Sequence, residues 1–345
     1  MAVNRKIRVL IVDDSLLFRE TLAREIARDS GIDVVGTASD PFAARDMILE
    51  LEPDVVTLDV EMPKMDGIAF LKKLMPQYPL PVIVVSSVGG NVFDALNAGA
   101  VDFVTKPNFS KTGGMNSFIN EIIVKIKIAS TAKVASQKKE YMPVGALTER
   151  KGGGSDVIIA IGASTGGTEA IYELIKAFPR DMPGILVVQH MPPVFTRMYA
   201  ERLNNSCRLE VKEAENGDIV RPGRVLIAAG DYHMELVKDR GGYSVRCYQG
   251  EKVSGHCPSV DVLFDSVAKA AGKKSIGIIL TGMGSDGAKG LLNMRKQGAF
   301  TIGQDQKTCV VYGMPMVAFN IGAVEKQLPL YQIPQEVCNY LAIDR

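Results

Sequence analysis

The chain has 345 residues, a formal net charge of +1 and a hydrophobic content of 46%. This near-neutral charge gives no sign of a polyanionic partner, and the apolar content can fill the cores of two domains of common size. No apolar run approaches the roughly 18 residues that a membrane span needs, and Arg5, Lys6 and Arg8 interrupt any signal-like stretch at the N-terminus. We therefore expect a water-soluble, cytoplasmic protein of two domains without direct membrane insertion.

The first third of the chain places charged residues directly after apolar runs. Residues 7–12 are followed by Asp13 and Asp14, residues 55–58 by Asp59, and residues 103–105 by Lys106. An acid at such a position could be an ordinary polar strand end or the cap of the next helix. Recurrence at several predicted strands favours a ligand site, because open α/β sheets bind ligands at the carboxyl ends of their strands. Crowded carboxylates repel one another, so the pattern predicts Mg²⁺ and a phosphate ligand there.

Amphipathic helical patterns separate these runs. The first comprises Leu16, Leu17, Leu22 and Ile26, and others follow at residues 43–51, 68–74 and 92–96. Alternating strands and helices at short spacing are typical of a parallel, doubly wound sheet. Five such units fill roughly the first 125 residues, a normal domain size. A further predicted strand, residues 82–85, ends in Ser86 at the same edge as the acids.

With these residues, the N-terminal domain resembles a response-regulator receiver domain, which has a flavodoxin-like fold. The matching positions are Asp13, Asp14, Asp59, Ser86, Phe103 and Lys106. The resemblance implies that Asp59 accepts a phosphoryl group from a partner histidine kinase. It implies a switch made of Ser86, Phe103 and Lys106. It also implies that Mg²⁺, needed for phosphorylation, is held by Asp13, Asp14, Asp59 and the carbonyl group of Glu61.

After a helix predicted over residues 117–129, the composition shifts toward Ser, Thr, Lys, Gln and Gly and ends in Lys-Gly-Gly-Gly-Ser at 151–155. This predicts a flexible linker over residues 129–154, between a domain at 1–128 and a second domain at 155–345. The basic residues of this segment could instead form a nucleic-acid-binding tail. Glu140 and Glu149 interrupt them and Tyr141 is the only aromatic residue, so we favour the linker and expect no nucleic-acid partner.

The five cysteines, at positions 207, 247, 257, 309 and 338, are scattered and form no C-x-x-C pair. They therefore indicate neither a disulfide framework nor a zinc site. A catalytic cysteine would need a neighbouring base. Cys257 beside His256 is the only local pair of that kind, and we disfavour it as a catalytic site.

The second domain opens with an apolar run, residues 157–161, which leads into the turn Gly-Ala-Ser-Thr-Gly-Gly at 162–167 and a helical pattern. A strand, tight turn and helix fit two chemistries: a glycine-rich phosphate cradle, or a nucleophile elbow that presents Ser164. A serine nucleophile needs a base, and the chain has three histidines, His190, His233 and His256. Only His190 closes a predicted parallel strand, residues 185–188, and so reaches the edge that carries Ser164.

A third strand, predicted over residues 276–280, leads into Thr-Gly-Met-Gly-Ser-Asp-Gly at 281–287. Asp286 in this turn precedes a helical stretch and could be an ordinary N-cap. Together, however, Ser164, His190 and Asp286 end three strands of one predicted sheet, as a Ser-His-Asp triad requires. The chain order Ser, His, Asp differs from the Ser, Asp, His order of α/β-hydrolases, so that fold is not expected.

These residues, with Gln-His-Met-Pro at 189–192 and Pro-Ser-Val-Asp at 258–261, resemble the chemotaxis-type protein-glutamate methylesterases. That family joins a receiver to a Rossmann-like α/β esterase domain with a mainly parallel sheet. The resemblance implies hydrolysis of glutamate γ-methyl esters on the cytoplasmic helices of chemoreceptors, with deamidation of receptor glutamines as a second activity. It implies no cofactor for ester hydrolysis.

The same resemblance implies a role for each site residue. Ser164 would attack the ester carbonyl, His190 would take and return the proton, and Asp286 would fix the imidazole tautomer. Backbone N–H groups near Thr165 and Met283 would bind the oxyanion. One position departs from the family pattern: the family often places a basic residue on each side of the loop histidine, whereas glycine and cysteine flank His256. The role of His256 therefore stays open.

The alternative from another class is a non-enzymatic regulator whose second domain binds DNA or a nucleotide. Against DNA, the second domain shows no basic helix-turn-helix pattern. Against a dinucleotide, Gln189 and His190 stand where the second strand would have to end in an acid. We favour the esterase, and we expect the receiver to block its cleft until Asp59 is phosphorylated.

Overall fold

The computed structural model describes residues 5–63, 65–87, 92–107, 114–134 and 156–343. The chain divides into two compact units, Met1–Glu140 and Tyr141–Arg345. The predicted linker, residues 129–154, lies mostly outside the described residues. Within the described ranges, no helix combines the length and the apolar character needed to cross a bilayer.

The N-terminal unit alternates strands with helices along the chain. Its strands are β1 (Ile7–Val12), β2 (Ile32–Ala38), β3 (Val55–Asp59), β4 (Val82–Ser86) and β5 (Asp102–Thr105). Its helices are α1 (Leu16–Ile26), α2 (Pro41–Leu51), α3 (Gly67–Leu74), α4 (Val92–Asn97) and α5 (Gly114–Ala129). All strand pairs are parallel and the order is β2-β1-β3-β4-β5. This is the flavodoxin-like order, so the predicted fold of this unit is confirmed.

The first helix of this unit shows which polar residue caps it. The Ser15 side chain accepts a hydrogen bond from the backbone N–H of Phe18, so Ser15 is the N-cap of α1. The alternative in which Asp13 or Asp14 caps this helix is therefore wrong. Asp13 instead accepts the backbone N–H of Ser15 at 2.9 Å, which turns its carboxylate toward the carboxyl edge of the sheet.

The C-terminal unit is larger. Its strands are β6 (Ile158–Ala163), β7 (Gly184–Gln189), β8 (Glu210–Glu213), β9 (Arg224–Ile227), β10 (His233–Asp239), β11 (Gly242–Tyr248), β12 (Ser275–Ile279), β13 (Phe300–Gln304) and β14 (Lys326–Leu328). Its α-helices are α6 (Gly167–Ala177), α7 (Phe195–Ser206), α8 (Val260–Ala270), α9 (Ala288–Lys296), α10 (Met314–Asn320) and α11 (Ile333–Ile343). Seven strands form a parallel sheet in the order β14-β13-β12-β6-β7-β9-β8, while β10 and β11 form an antiparallel hairpin. The predicted Rossmann-like, mainly parallel architecture is confirmed.

The middle of the seven-stranded sheet brings three strand ends together. β6 pairs with β12 on one side, with Gly162 opposite Ile279, and with β7 on the other, with Ala163 opposite Gln189. A Cβ atom on Gly162 would lie 2.1 Å from a methyl carbon of Val260, so glycine is required for α8 to pack this closely on β6. The segments that follow β6, β7 and β12 therefore meet at one edge.

Candidate functional site

The carboxyl edge of the N-terminal sheet holds two buried acids and one lysine. Asp13 and Asp59 are 2% and 1% exposed. The Lys106 ammonium group lies 2.7 Å from Asp59 Oδ2 and 3.0 Å from Asp13 Oδ2. The backbone N–H of Glu61 donates to Asp59 Oδ1 at 3.1 Å. The predicted set of strand-end charges is thus brought together.

The positive charge beside Asp59 does not fully offset the cost of burying its carboxylate. Burial raises the pKa of Asp59 to about 6, the Lys106 ammonium group opposes the rise, and the negative charge of Asp13 adds to it. Burial alone would lower the pKa of Lys106, but its hydrogen bonds to Asp59 and Asp13 raise it overall. One lysine between two buried carboxylates leaves an excess of negative charge, which a divalent cation would neutralise.

The donor set at this edge suits a hard cation. Carboxylate oxygens of Asp13, Asp14 and Asp59 lie within 4.8 Å of one another, and Asp14 is exposed to solvent. Oxygen ligands of this kind, with water completing the shell, are what Mg²⁺ takes. Residue 61 is held beside Asp59 by its backbone N–H, while the Glu61 carboxylate accepts a hydrogen bond from Ser87 Oγ at 2.7 Å. The carbonyl group of Glu61 as a ligand stays a prediction.

Of the three predicted switch residues, Lys106 contacts the acids directly, Ser86 ends a strand at the same edge, and Phe103 lies in the strand β5. Ser86, 2% exposed, ends β4 and donates from Oγ to the carbonyl group of Ser87 at 2.9 Å. Phe103, 4% exposed, is packed inside the unit, with the Lys125 ammonium group 5.1 Å from its ring centre. The segments after β4 and β5 lie partly outside the described residues, so the switch role of Ser86, Phe103 and Lys106 stays a prediction.

In the C-terminal unit, Ser164 lies in the turn between β6 and α6. Its backbone N–H donates to the Thr281 carbonyl at 3.0 Å, and its own carbonyl accepts from Gly167 N–H at 2.7 Å. Gly166 has φ of 76°, which a side chain disfavours, and it lets the chain turn directly from Ser164 into the helix. The half-buried serine therefore sits at the N-terminus of α6, where the helix dipole favours negative charge.

His190 follows β7 and contacts Asp286 directly. Its Nε2 atom lies 2.8 Å from Asp286 Oδ2, and the two side chains are 8% and 0% exposed. The backbone N–H of His190 donates to the Ala163 carbonyl at 3.2 Å, which keeps the histidine beside the serine turn. The Nδ1 atom of His190 is buried without a hydrogen-bond partner among the described residues. Nδ1 is thus the nitrogen that can accept a proton.

Asp286 is held by four hydrogen bonds. Besides His190, its donors are Ser259 Oγ at 2.7 Å, Val260 N–H at 2.8 Å and Asp261 N–H at 3.0 Å. Burial alone would raise the pKa of Asp286, but His190 and these backbone donors lower it overall. The carboxylate is therefore ionised, and His190 Nε2 carries the proton between them.

These contacts correct one expectation about Asp286. The alternative that it caps the helix after it in the chain is wrong, because Gly287 is the N-cap of α9. Asp286 instead binds the first two backbone N–H groups of α8, whose own N-cap, Ser259, makes no side-chain capping bond. The N-terminus of a helix that begins 26 residues earlier in the chain thus fixes the carboxylate.

Two supporting residues went unrecognised in the sequence. Gln189, 4% exposed, donates from Nε2 to the carbonyl groups of Ser164 at 2.9 Å and His190 at 3.2 Å. Thr281, 1% exposed, donates from Oγ1 to the Thr165 carbonyl at 3.0 Å. Both are polar residues that end or closely follow a buried strand, and this position is the feature of the sequence that indicates their role. They tie the serine turn to its neighbouring strands.

The two predicted oxyanion residues lie in the serine turn and in the loop after β12. Thr165 is buried, with 5% exposure, in the serine turn, and Met283 is 44% exposed in the loop after β12. Gly282 approaches the serine closely, since a Cβ atom there would lie 2.7 Å from Ser164 Cβ. This close approach places the residue before Met283 beside the serine. The oxyanion role of the Thr165 and Met283 N–H groups stays a prediction.

His256 lies against the base. Its ring stacks on that of His190 with centroids 3.6 Å apart and an angle of 5° between the planes. Ligand atoms of His190, His256 and Asp286 are close enough to suggest a metal site. The stacking argues against one, because an imidazole binds a metal in its own plane at about 2 Å. Two parallel rings face to face share no such position.

The two remaining candidates, His233 and Cys257, do not contribute to the catalytic site. His233 is buried, and its ring is used by Glu251, whose carbonyl oxygen lies 2.8 Å from Nε2, and by the Ser259 N–H, 3.3 Å from Nδ1. Cys257 is half-buried beside His256, and burial raises the pKa of its thiol. A thiol with a raised pKa is a poor nucleophile, in agreement with the interpretation that Cys257 is not catalytic.

Comparison with known proteins assigns both units. Residues 159–337 match the CheB methylesterase family and residues 9–112 match the response regulator receiver domain. A protein of Syntrophomonas wolfei named protein-glutamate methylesterase/protein-glutamine glutaminase 2 is 61% identical over 96% of this chain and 96% of its own. A Salmonella typhi protein of the corresponding name is 49% identical, again over 96% of both chains.

A solved structure supports the assignment of the second unit. The crystal structure of the Thermotoga maritima CheB methylesterase catalytic domain is 40% identical, covers 55% of this chain and 100% of its own, and superposes with a TM-score of 0.52. The match spans the unit that holds Ser164, His190 and Asp286. The chain therefore belongs to the CheB methylesterase family, with a response regulator receiver domain ahead of its methylesterase domain.

Proposed function

We propose that this protein hydrolyses glutamate γ-methyl esters on the cytoplasmic helices of chemoreceptors, releases methanol, and does so under the control of phosphorylation at Asp59. The observation that carries the proposal is the 2.8 Å contact between His190 and a fully buried Asp286 beside the Ser164 turn. The names of the relatives, protein-glutamate methylesterase/protein-glutamine glutaminase, supply the substrate class. This proposal places the protein in the cytoplasm.

The chemistry follows from which atoms are engaged. Because Asp286 occupies Nε2 of His190, the free Nδ1 accepts the proton from the Ser164 hydroxyl as the oxygen attacks the ester carbonyl. The N–H groups of Thr165 and Met283 stabilise the oxyanion, helped by the N-terminus of α6. His190 then gives its proton to the departing methoxide, so that methanol leaves an acyl-Ser164 ester.

A water molecule completes the cycle. His190 Nδ1 takes a proton from the water as it attacks the acyl ester, and then returns that proton to Ser164 Oγ. The products are a free glutamate side chain and the original enzyme. Deamidation of receptor glutamine proceeds through the same acyl-enzyme with ammonia as the first leaving group, so one site serves both activities. Every proton in the scheme has a protein or water partner, and no cofactor takes part.

The N-terminal domain supplies the control. Asp59, whose carboxylate is held by Lys106, attacks the phosphoryl group of a phosphohistidine on a partner kinase. Mg²⁺ bound by Asp13, Asp14 and Asp59 would neutralise the charge of the transferred group. Phosphorylation adds nearly two negative charges, which Ser86, Phe103 and Lys106 are placed to sense. Because the receiver and the esterase are joined in one chain, we infer that phosphorylation of the receiver regulates the esterase.

Methanol release from methylated chemoreceptor membranes tests the catalytic proposal. Ser164→Ala should reduce the rate to the level without enzyme, because it removes the nucleophile while costing about 1 kcal/mol of stability. Ser206→Ala, an exposed serine at the end of α7, is the matched control and should keep the full rate. Substantial methanol release by Ser164→Ala, or a shift of duplex DNA by a wild-type protein that releases none, would reject the esterase.

A further inference from the structure

The ring of His256 covers one face of the His190 ring. Parallel planes at 5° and a centroid distance of 3.6 Å are a full van der Waals contact between two aromatic rings. His190 has Asp286 at its Nε2 edge and the serine turn beside its backbone. His256 is thus the residue that packs against the face of the His190 ring.

A rigid turn fixes the position of His256. Val253 and His256 exchange both backbone hydrogen bonds, each at 3.0 Å, around the two-residue loop Ser254 and Gly255. These two residues have φ of 52° and 86°, as a two-residue hairpin of the I′ type requires. Ser254 Oγ also donates to Asp261 Oδ2 at 2.9 Å, which fastens the turn to the start of α8.

The hydrogen bonds define the protonation of both rings. His256 Nδ1 lies 3.0 Å from the Ser254 carbonyl oxygen, an acceptor, so its proton is on Nδ1. His190 has its proton on Nε2, facing the ionised Asp286. Burial lowers the pKa of His256, a positive charge on His190 lowers it further, and Asp286 opposes both. His256 is therefore neutral when His190 gains its second proton.

We propose that His256 is a positioning residue for the base: its neutral ring fixes the plane of His190 by stacking and stabilises the imidazolium that His190 becomes during acyl transfer. An aromatic face attracts a cation stacked on it, and the attraction to a charged ring exceeds that to a neutral one. The gain therefore appears in the transition state and not in substrate binding. This role depends on the aromatic face and not on the ring nitrogens of His256.

The inference rests on the proposed esterase function, and kinetic constants test it. His256→Leu, which removes the aromatic face, should lower kcat about tenfold and leave KM unchanged. His256→Phe, which keeps that face without nitrogen atoms, should stay within about threefold of wild type. Val253→Thr, in the same turn and 39% exposed, is the matched control and should keep wild-type constants. Thermal unfolding of each variant checks that it is folded.

A second measurement does not depend on turnover. With three histidines in the chain, the ¹⁵N spectrum of histidine-labelled wild-type protein at neutral pH should show the proton of His256 on Nδ1 and that of His190 on Nε2. The Nε2 proton signal of His190 should broaden through exchange in His256→Leu and stay sharp in His256→Phe. This readout survives even if the substrate assignment fails, whereas loss of methanol release in wild type would reject only the esterase.

Four outcomes would overturn the inference. A His256→Leu variant with unchanged kcat would show that the stack contributes nothing to the chemistry. A raised KM with unchanged kcat would make His256 a substrate-binding residue. A His256→Phe variant as slow as His256→Leu, or a cationic His256 in the wild-type spectrum at neutral pH, would mean that a ring nitrogen and not the neutral aromatic face is what matters.

Discussion

Asp59 is the last residue of β3, the central strand of the N-terminal sheet, and Asp286 lies in the loop that follows β12 in the C-terminal sheet; each is 1% exposed. Their surroundings act in opposite directions. Burial raises the pKa of Asp59 to about 6, because Lys106, which it shares with the carboxylate of Asp13, and one backbone N–H do not offset the loss of water. Asp286 has four donors, and its pKa falls.

The two buried acids are suited to different tasks. A carboxylate that must react with an incoming phosphoryl group keeps oxygen lone pairs uncommitted and retains excess negative charge for a metal ion. A carboxylate that must only orient a histidine has its oxygens saturated by fixed donors and cannot move. The number of donors, and not the depth of burial, separates the proposed phosphoacceptor from the proposed orienting acid.

The largest effect is expected from Asp286→Asn. An amide cannot accept from all four donors, so the His190 ring would lose its Nε2 proton partner and take the wrong tautomer. We expect kcat to fall by about 10³- to 10⁴-fold with little change in KM. Labelling of Asp59 by acetyl phosphate, measured on the same preparation, should be unaffected. An Asp286→Asn variant within tenfold of wild type would remove the orienting role.

A smaller effect, with opposite pH dependence for the two acids, is expected in stability. Because the pKa of Asp59 is raised in the folded protein, protonated Asp59 adds to the free energy of unfolding. This contribution is complete below about pH 4 and is lost as the pH rises to about 6. The rise from 3.8 to about 6 corresponds to at most about 3 kcal/mol, and solvent screening at the sheet edge reduces this to about 2 kcal/mol. Because the pKa of Asp286 is lowered, ionised Asp286 stabilises the folded protein above about pH 4, and this stabilisation is lost as the pH falls below that value.

Hydrogen exchange of strand amides separates these contributions. In β1 and β3, protection should decline between about pH 4 and pH 6 in wild type and lose that decline in Asp59→Asn. Mg²⁺ at neutral pH should raise protection in these strands of the wild type by mass action, and less in Asp59→Asn. Equal pH profiles for wild type and Asp59→Asn would contradict the raised pKa.

The smallest effect is expected from Ser259→Ala, which removes one of the four donors to Asp286. We expect about a tenfold loss of kcat, since the remaining donors keep the carboxylate in place. Ser266→Ala is the matched control on the same helix, because Ser266 Oγ accepts from Leu236 N–H and donates to Leu263 without touching the site. It should lower stability and leave kcat unchanged. Equal kcat values for the two variants would contradict the proposed support of Asp286.

Most of the fold was predictable because strands and helices have local signatures. The buried strands are continuous apolar runs, and the helices between them carry apolar residues at helical spacing, so both the alternation and the parallel sheets follow. Strand limits shifted by one or two residues: β3 includes Asp59, and β12 ends at Ile279 instead of at residue 280. The pairing of β6 with β7 and β12 puts the segments that carry Ser164, His190 and Asp286 at one edge of the sheet.

What the sequence could not predict are contacts between distant segments. The sequence allows Asp286 to cap the helix that follows it, whereas Asp286 binds the start of α8, which comes earlier in the chain. The stacking of His256 depends on a hairpin turn that no periodicity reveals. In the sequence, Gln189 looks like an ordinary polar residue at the end of a strand. The pairing of β6 with β7 brings its side-chain amide within hydrogen-bond distance of the carbonyl groups of Ser164 and His190.

We propose that a phosphoryl group accepted by Asp59 controls ester hydrolysis at Ser164. To test this, methanol release from methylated receptor membranes is followed with and without acetyl phosphate and Mg²⁺, in wild type, Asp59→Asn and Ser164→Ala. We predict stimulation of wild type only, an unstimulated rate in Asp59→Asn, and no release by a Ser164→Ala protein that is still phosphorylated. Equal stimulation of wild type and Asp59→Asn, or a fully phosphorylated wild type with an unchanged rate, would contradict it.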